Sequence, residues 1–504
     1  MNKTSWRPAA VRGFAWGALA GLALVALMYL AALFIGLRPL PQALSGPVLA
    51  LMPGPVFGFL IDTLQHAGKV VEEFGLIVAM VVGLGALGAA WAVAARRWRF
   101  QQSALVFAAA GWLVVVAVML PVSGYGFLGL SDGPTTPIVW ALLFAVYGLI
   151  LQMGAPSLLP DQADTGRRRL LGAVPLAIGA VSLGVLAFRL VPDWYKAIFN
   201  PAEAGLSGPS PEITPVANFY VVSKNFYGSD PVVTAAGWNL SVGGAVDKPL
   251  KLSLAQLRAL PSTTEYVTLE CISNDVGGGL ISTGSFTGVS LSALLAMASP
   301  RPEGSWAAFK ARDGYAESLP MSMIQSSPEY LVAYDLDGAP LPELHGFPAR
   351  ILLPGHYGMK GPKWLDSIDL VDRESGGYWE AQGWDHNAIV RTMSRFDMPL
   401  DGSIVKLGAV TVSGVAFAGV KGVSKVDYST DGGKTWSPAD IKAPLSPLTW
   451  VLWSASWTPP REGAYTLKVR ATDASGALQD AKSSMSFPIG ASGYHTIHVN
   501  VAHS

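Results

Sequence analysis

The residue with the clearest chemical capacity in this sequence is its single cysteine, Cys271. It lies within Tyr266 to Gly279 (YVTLECISNDVGGG), at the end of a β-branched run and at the entrance to a glycine-rich loop. Glycines let the backbone approach a bulky ligand closely, and a thiolate is a soft ligand for transition metals. A lone cysteine with apolar neighbours can equally be a small buried hydrophobe, so the surrounding sequence has to decide between the two interpretations.

One cysteine also excludes several classes of site within this chain. An internal disulfide framework, a CxxC zinc site, a cysteine-ligated iron–sulfur cluster and a CxxCH haem attachment all need at least two cysteines. We therefore expect neither haem nor an iron–sulfur cluster on this chain.

The composition indicates a membrane protein. The chain has 504 residues, of which 14% are charged, and its mean hydropathy of +0.37 is too apolar for an ordinary soluble protein. Lys plus Arg and Asp plus Glu both number 35, so no charge bias points to nucleic acid as a partner.

The first part of the chain contains five uncharged stretches about as long as a membrane span, which needs about 20 apolar residues. A sixth apolar run, residues 39–61, is interrupted by Pro41, Pro47, Pro53 and Pro55 and is predicted to be a re-entrant or interfacial segment, because a lipid-exposed helix could not satisfy its backbone there. The five predicted spans are Gly13–Leu37, Phe74–Ala95, Ser103–Leu120, Pro137–Met153 and Leu170–Phe188.

The basic residues predict the orientation of these spans, since Lys and Arg in short loops favour the cytoplasm. Five spans put the N-terminus inside the cell and everything after Arg189 outside the cytoplasm, with only Arg38 and Lys69 in outer loops. The residues placed in the cytoplasm are Lys3, Arg7, Arg12, Arg96, Arg97, Arg99, Arg167, Arg168 and Arg169.

Two features of the predicted anchor allow a functional interpretation. Arg167 and Arg168 resemble a twin-arginine export signal, although the positive-inside rule explains them equally well. The five stretches contain no ionisable residue, which disfavours transport and a bis-histidine haem. His66 is either a solvated loop histidine or a single haem ligand or quinone contact.

The sequence after the anchor indicates three further segments. Residues 1–191 form the predicted anchor, and residues 192–216, rich in Pro, Gly and Ser, a linker. Residues 217–396 mix short β-branched runs with helix-like segments, which predicts an α+β domain. Residues 397–504 alternate in a strand pattern with glycine-containing turns, which predicts an immunoglobulin-like β-sandwich.

Several motifs between Asn218 and Phe487 resemble the sulfite oxidase family of molybdopterin-dependent oxidoreductases. Tyr266 to Gly279 resembles the family's molybdenum-binding segment, and residues 218–225 (NFYVVSKN) resemble its opening pterin-binding strand. Residues 345–364 (HGFPARILLPGHYGMKGPKW) are the most specific match, and residues 426–436 (VDYSTDGGKTW) resemble part of its dimerisation domain. The resemblance implies a molybdenum–molybdopterin cofactor and allows a homodimer.

The resemblance also implies roles for individual residues. Cys271 would be the thiolate ligand of molybdenum, and Tyr334, in a segment like the family's active-site tyrosine, would hydrogen-bond a metal oxo group. The residues implied in cofactor binding are Lys224, Asn225, Asn274, His345, Arg350, Lys360, Gly361 and Lys363. Lys224-Asn225-Phe226 and Asn274-Asp275-Val276 depart from the family's cationic anion pocket, which makes sulfite a doubtful substrate.

These features predict a membrane-anchored molybdenum oxidoreductase that transfers an oxygen atom with two electrons to or from a small oxo compound. Its electrons would pass to or from an external partner, such as a cytochrome, a small redox protein or a quinone. A catalytically silent, membrane-tethered binding or assembly module that keeps the same fold is the alternative, and metal content distinguishes the two.

Overall fold

The structure is a computed structural model that describes residues 6–64, 66–98, 103–130, 133–155, 165–199 and 208–502. The chain divides into two compact units, which we call the helical unit and the sheet unit. The helical unit comprises Met1–Met52, His66–Asn200 and Asn225–Ser229, and the sheet unit comprises Pro53–Gln65, Pro201–Lys224 and Asp230–Ser504.

Among its described residues, the helical unit contains five helices that are long and apolar enough to cross a membrane, which agrees with the predicted number of spans. They cover Arg7–Ile35, Ala67–Arg96, Ala104–Val122, Thr136–Met153 and Ala173–Tyr195. The helices of the first 199 residues are α1 (Trp6–Ile35), α2 (Leu40–Ala50), α3 (Gly54–Leu64), α4 (His66–Trp98), α5 (Ser103–Val114), α6 (Leu120–Val122), α7 (Thr136–Met153) and α8 (Thr165–Phe199), with a π-helical turn at Val115–Met119.

Helices α1, α4 and α8 extend beyond the predicted spans and include ionisable residues there. Helix α4 begins before Phe74, so it includes Glu73, which is 3% exposed. The hydroxyl of Tyr29 donates to Glu73 Oε1 at 2.8 Å, and Trp194 Nε1 donates to its Oε2 at 2.7 Å. The stretch Phe74–Ala95 itself contains no ionisable residue, but the helix that includes it also contains Glu73, whose burial is compensated by these two donors.

The proline-containing run at 39–61 forms two short helices, α2 and α3, separated by a turn that contains Pro53. Helix α3 belongs to the sheet unit, where Phe57 packs 6.1 Å from Phe487 and 6.4 Å from Trp379 between ring centroids. Lys3, Arg99 and the side chains of His66, Arg97, Arg167, Arg168 and Arg169 lie outside the described part of the chain.

The first part of the sheet unit is α+β, as predicted. It has two five-stranded sheets, one in the order β2-β1-β10-β5-β6 and the other in the order β3-β4-β7-β8 with β9 also paired to β7. Strands β1 and β10 are parallel and the other pairs are antiparallel. The elements are β1 (Asn239–Gly244), β2 (Leu250–Ser253), α9 (Leu254–Arg258), β3 (Thr263–Glu270), β4 (Ile281–Ser290), α10 (Leu291–Met297), β5 (Trp306–Ala311), β6 (Ala316–Pro320), α11 (Met321–Ser326), β7 (Leu331–Leu336), β8 (Ala339–Pro340), β9 (Arg350–Leu352) and β10 (Leu365–Val371).

The last part consists of two sheets packed face to face, with orders β11-β13-β17-β16 and β12-β19-β18-β14-β15. Their shared core includes Phe396 and Trp453 from the first sheet and Leu467 and Ile497 from the second. The strands are β11 (Met393–Met398), β12 (Ile404–Lys406), β13 (Val410–Phe417), β14 (Val423–Ser429), β15 (Ser437–Pro438), β16 (Asp440–Ile441), β17 (Val451–Trp457), β18 (Gly463–Asp473) and β19 (His495–Ala502).

Three local predictions differ from the structure. Helix α8 continues to Phe199, so the first residues of the predicted linker at 192–216 are helical. The predicted boundary at 396/397 falls inside β11, which belongs to the sandwich because it pairs with β13. Residues 218–225 do not form a strand; Tyr220 N–H instead donates to the hydroxyl of Ser282 at 3.1 Å.

Candidate metal and cofactor site

The single thiol stands where a strand ends. Strands β3 and β4 pair up to Glu270 and Ile281, and the chain between them forms a short loop that begins with Cys271. Cys271 N–H donates to Leu280 O at 2.9 Å, which closes the loop at its base. The Cys271 side chain is 8% exposed, and its Sγ lies 3.1 Å from Ser273 Oγ.

Cys271 lines a cleft of about 710 Å³, a volume that includes the open mouth. Six of the ten predicted site residues line this cleft, although they come from four separate parts of the sequence. They are Lys224, Cys271, His345, Arg350, Gly361 and Lys363. The fold therefore brings together residues that lie up to 139 positions apart (363 − 224).

Positive side chains converge in the cleft with little opposite charge. Arg350, on β9, is 6% exposed and donates from Nη1 to His345 O at 3.3 Å, while its Nε has no hydrogen-bond partner within the described residues. Lys363 Nζ donates to the carbonyls of Val222 and Leu344, at 3.0 and 2.9 Å. Burial, reinforced among other charges by Arg350, lowers the pKa of Lys363 to about 8. An anion in this cleft would relieve the repulsion and satisfy the unpaired Arg350 nitrogen.

His345 and Lys224 complete the predicted polar set. Burial, with Arg350 and Lys363 nearby, lowers the pKa of His345 to about 4, so its ring is neutral at pH 7. Lys224 Nζ is 3.7 Å from Asp313 Oδ2, the carboxylate that lines the same cleft.

Gly361 allows two backbone segments of the site to pack closely. A Cβ at this position would lie 2.6 Å from Ile351 O, so only glycine allows the segment to lie against β9.

Tyr334 was predicted to contact the metal oxo group, but it is not among the residues that line the cleft. Its side chain belongs to the core between the first sheet and helices α9 to α11, where the Arg258 guanidinium lies 4.7 Å from the ring centroid. The alternation of β7 explains this placement, since neighbouring residues of a strand face opposite sides and a motif match does not fix the side. The tyrosines that line the cleft are Tyr220 and Tyr315.

Three residues predicted to bind the cofactor, Asn225, Asn274 and Lys360, do not line the cleft and contact other residues instead. Asn225 groups with the helical unit, and its Oδ1 accepts a hydrogen bond from Gln42 Nε2 at 3.3 Å. Asn274 accepts from Leu280 N–H and donates to Glu270 Oε1, both at 2.9 Å, and so shapes the loop from within.

Lys360 points away from the cleft. Its Nζ contacts Glu317 Oε1 at 2.6 Å and Glu380 Oε1 at 2.5 Å, and it is 2% exposed. The side chain of Lys360, which was predicted to bind the cofactor, is thus engaged by two buried carboxyl groups and does not line the cleft.

Sequence reasoning missed the aromatic lining of the cleft. Tyr220 and Trp379 line it, as does Tyr315, whose hydroxyl donates to Met359 O at 2.6 Å. Tyr220 lies within the NFYVVSKN motif, so the resemblance of that motif to a pterin-binding segment could have indicated its place in the cleft. Tyr315 and Trp379 lie outside the quoted motifs, and their position follows only from the folded chain.

The metal-free thiol is expected to be protonated. Burial raises the pKa of Cys271, and the hydrogen bond with Ser273 opposes that shift. A bound metal deprotonates a coordinating thiol outright, so the predicted thiolate forms with metal binding. A soft donor in the lining of the cleft, an unpaired guanidinium nitrogen and an excess of cations together fit a molybdenum–pterin cofactor with an anionic group.

The buried histidine predicts an acid-sensitive fold. The folded pKa of His345 is about 4 and the unfolded value is about 6.5, so the unfolded chain binds more protons between these pH values and stability falls as pH drops through this window. We expect His345 to account for a loss of about 3 kcal/mol, and His345→Gln to reduce the slope of the thermal midpoint against pH. His495, with a pKa of about 4 for the same reason, should maintain part of the slope.

The control for this experiment is His386→Gln, because the side chain of His386 is 64% exposed, and its effect on the slope should be smaller than that of the buried His345. Thermal unfolding of the metal-free full-length protein from pH 4 to 7 provides the measurement. An unaltered slope in His345→Gln would contradict the assignment of a neutral, buried ring.

Arg350 is predicted to bind the anionic part of the cofactor. Arg350→Met should lower cofactor content by about 10-fold or more, because a buried, charge-assisted hydrogen bond to the cofactor is lost. Arg350→Lys should restore little of it, since a single ammonium group cannot replace the several donors of the planar guanidinium. Cofactor released from the purified protein can be measured by its fluorescence after oxidation.

A matched control is Arg258→Met, which removes an arginine that pairs with Asp335 and stacks on Tyr334 outside the cleft. Equal loss of cofactor in Arg258→Met and Arg350→Met would argue against a specific contact.

Comparison with known families defines the class of the sheet unit. Residues 227–379 match the oxidoreductase molybdopterin binding domain, and residues 387–502 match the Mo-co oxidoreductase dimerisation domain. The two matches together span both parts of the sheet unit described above.

Individual relatives agree with this class. Mitochondrial sulfite oxidase of Mus musculus is 31% identical over 266 residues, covering 44% of this chain and 49% of that protein. Sulfite oxidase of Arabidopsis thaliana is 29% identical, covering 48% and 74%, and NADH nitrate reductase of Volvox carteri is 29% identical, covering 48% and 34%. The chain thus spans about half the length of several curated relatives that it matches.

Among solved structures, the sulfane dehydrogenase SoxCD from Paracoccus pantotrophus has the same fold. It superimposes with a TM-score of 0.52 at 22% identity, covering 60% of this chain and 86% of that one. The chain belongs to the sulfite oxidase family of molybdopterin-dependent oxidoreductases, as its motifs predicted.

Proposed function

We propose that the protein is a membrane-anchored molybdenum oxidoreductase whose metal is held by Cys271 in the cleft of the sheet unit. The observation that carries this proposal is that the only thiol of the chain lines a cleft that is also lined by Arg350, Lys363 and His345. Molybdenum in such a cofactor takes soft sulfur donors, and the cationic groups match its phosphate.

The residues that line the cleft would have different roles in binding the cofactor. When bound, the molybdenum–pterin supplies two-electron oxygen-atom transfer, and the protein supplies binding, orientation and electrostatics. Arg350 and Lys363 would bind the anionic group. His345, neutral at pH 7, would offer hydrogen bonds without adding charge. Trp379 and Tyr220 would exclude water along the walls.

The proposed substrate is a small sulfur- or nitrogen-containing oxo compound or its reduced form. In one direction the substrate takes an oxygen atom from water and releases two protons and two electrons; in the other it gives up oxygen as water. Sulfite is disfavoured because Asp275 stands in the metal loop and because Asn225 and Asn274 are engaged elsewhere.

We further propose that the helical unit anchors the enzyme in the cell membrane with the sheet unit outside the cytoplasm. Five apolar helices of sufficient length and the distribution of basic residues support this arrangement. The match to a dimerisation domain supports a homodimer. Electrons would pass one at a time to or from an external cytochrome, redox protein or quinone.

The test is metal analysis and redox titration of the purified full-length protein. We expect about one molybdenum per chain, no haem Soret band, and a metal signal that changes with sulfoxides, N-oxides or nitrate more than with sulfite. A metal-free wild type, expressed where molybdenum cofactor is made, would instead support the silent binding module.

A further inference from the structure

The loop that carries Cys271 is held from two sides. From within, Asn274 Oδ1 accepts from Leu280 N–H at 2.9 Å, and Gly278 N–H donates to Asp275 O at 2.8 Å. These bonds shape the loop but leave its glycine-rich tip, residues 277–279, without a side chain of its own to pack. The tip must therefore be fixed by contacts from other elements.

Arg395, on strand β11 of the sandwich, provides such a contact. It is 2% exposed, and its Nη1 donates to Gly278 O at 2.6 Å. Its other nitrogens are also bound: Nε donates to Asp397 Oδ1 at 2.9 Å and Nη2 to Ser210 Oγ at 3.0 Å. Because three hydrogen bonds fix the position of the guanidinium, it cannot move together with the loop. The hydrogen bond to Gly278 O therefore restrains the loop.

His495, on strand β19, contacts the neighbouring residue of the tip. Its Nδ1 accepts a hydrogen bond from Phe396 N–H at 2.9 Å, which leaves the proton of the neutral ring on Nε2. A Cβ on Gly277 would lie 2.4 Å from this Nε2, and Gly277 has a φ of +81°. The tip can approach the sandwich this closely only as glycine.

We propose that Arg395 is a positioning residue for the metal-binding thiol: by clamping Gly278, with His495 beneath Gly277, the sandwich sets the direction of Cys271 in the lining of the cleft. A charge-assisted hydrogen bond in a buried site is stronger than a neutral one, and its acceptor here is the backbone of the metal loop itself. The dimerisation-type sandwich is thus part of the metal site. The restraint of the loop that carries Cys271 follows from these contacts alone. Its effect on bound molybdenum rests on the proposed function.

The lone cysteine allows a direct test on the full-length protein, expressed both with and without molybdenum. Arg395→Met removes every donor but keeps the length of the side chain. Arg470→Met is the matched control, since Arg470 is another sandwich arginine, 3.4 Å from Asp427, without a contact to the loop. The readouts are the rate at which iodoacetamide labels Cys271 in the metal-free protein, the Mo(V) electron paramagnetic resonance spectrum of the loaded protein, and the thermal midpoint.

We expect Arg395→Met to be labelled at least about 10-fold faster than wild type and to give a shifted Mo(V) spectrum, whereas Arg470→Met does neither at a similar thermal midpoint. Arg395→Lys, which keeps one donor for Gly278, should restore part of both properties. If Arg395→Met fails to fold, Asp397→Asn, which loosens the guanidinium through one contact, should give a smaller increase in labelling.

Wild-type labelling rates in Arg395→Met and Asp397→Asn would overturn the proposal, as would equal increases in Arg395→Met and Arg470→Met. A wild type that binds no molybdenum would refute the proposed function, but the labelling comparison in metal-free protein would still decide on the clamp.

Discussion

Cys271→Ser is expected to reduce bound molybdenum and turnover by at least about 100-fold. Changes to residues that only support a metal ligand typically cost 10–100-fold, and this change removes the one protein ligand. Serine has nearly the same volume, but its hydroxyl is a hard donor that stays protonated where a thiol ionises on binding the metal. Elemental analysis and turnover of the purified full-length protein provide the measurement.

Ser273→Ala is the matched control, because Ser273 Oγ lies 3.1 Å from the sulfur without belonging to the predicted ligand set. We expect it to cost no more than about 10-fold, as a supporting contact. The thermal midpoint of metal-free Cys271→Ser should stay near that of the wild type, since a small side chain is replaced by a similar one. Wild-type molybdenum content in Cys271→Ser would refute the proposed site.

Lys360→Met is expected to destabilise the sheet unit by about 3–5 kcal/mol, because it leaves two buried carboxyls without their cation. Glu317 is less than 1% exposed and Glu380 is 6% exposed, and Gly377 N–H binds the latter at 2.8 Å. For a unit of this size the thermal midpoint should fall by about 10 °C. Because Lys360 lies between Gly358 and Lys363, which line the cleft, cofactor content should fall as well.

The two carboxyls of this network are not equivalent. Burial raises the pKa of Glu317 to about 8, whereas hydrogen bonds from Lys360 and Gly377 lower the pKa of Glu380. Glu317 is thus protonated at neutral pH, and Glu317→Gln should change stability by less than about 1 kcal/mol. Since its folded pKa lies above the unfolded value, the contribution of Glu317 to stability falls as pH rises from about 4.5 to 8, opposite in sign to that of His345, and Glu317→Gln should remove this contribution.

Two further variants separate the charge effect from packing. Replacing Lys360, Glu317 and Glu380 together by Met, Leu and Leu should restore most of the lost stability, because an apolar core of similar volume carries no unpaired charge. Lys421→Met removes an exposed lysine 3.8 Å from Asp473 and should cost at most about 1 kcal/mol. A similar thermal midpoint in Lys360→Met and wild type would contradict the buried network.

The sequence predicted the parts of this protein that depend on local pattern. Five apolar stretches, a mixed α+β region and a strand-rich end follow from hydropathy and period. The place of Cys271 at the end of a strand was also legible, because a β-branched run gives way to glycines at that point.

Side-chain direction was not predictable in the same way. Lys360 and Lys363 lie three residues apart in one motif, yet one is buried against Glu317 and the other lines the cleft. Tyr334 faces the core for a similar reason. These choices depend on partners distant in sequence, such as Arg258 and Glu380, so no local pattern encodes them.

A solitary sulfur in a cleft also determines how the protein can be damaged. Oxidants convert a free thiol to sulfenic acid, which a neighbouring cysteine would normally rescue as a disulfide. This chain has no second cysteine, so continued oxidation would proceed to the irreversible sulfinic acid. On the proposed topology, with the sheet unit outside the cytoplasm, the order of biogenesis therefore matters: a copy that acquires its cofactor before export is protected, and one that is exported empty is at risk of permanent inactivation.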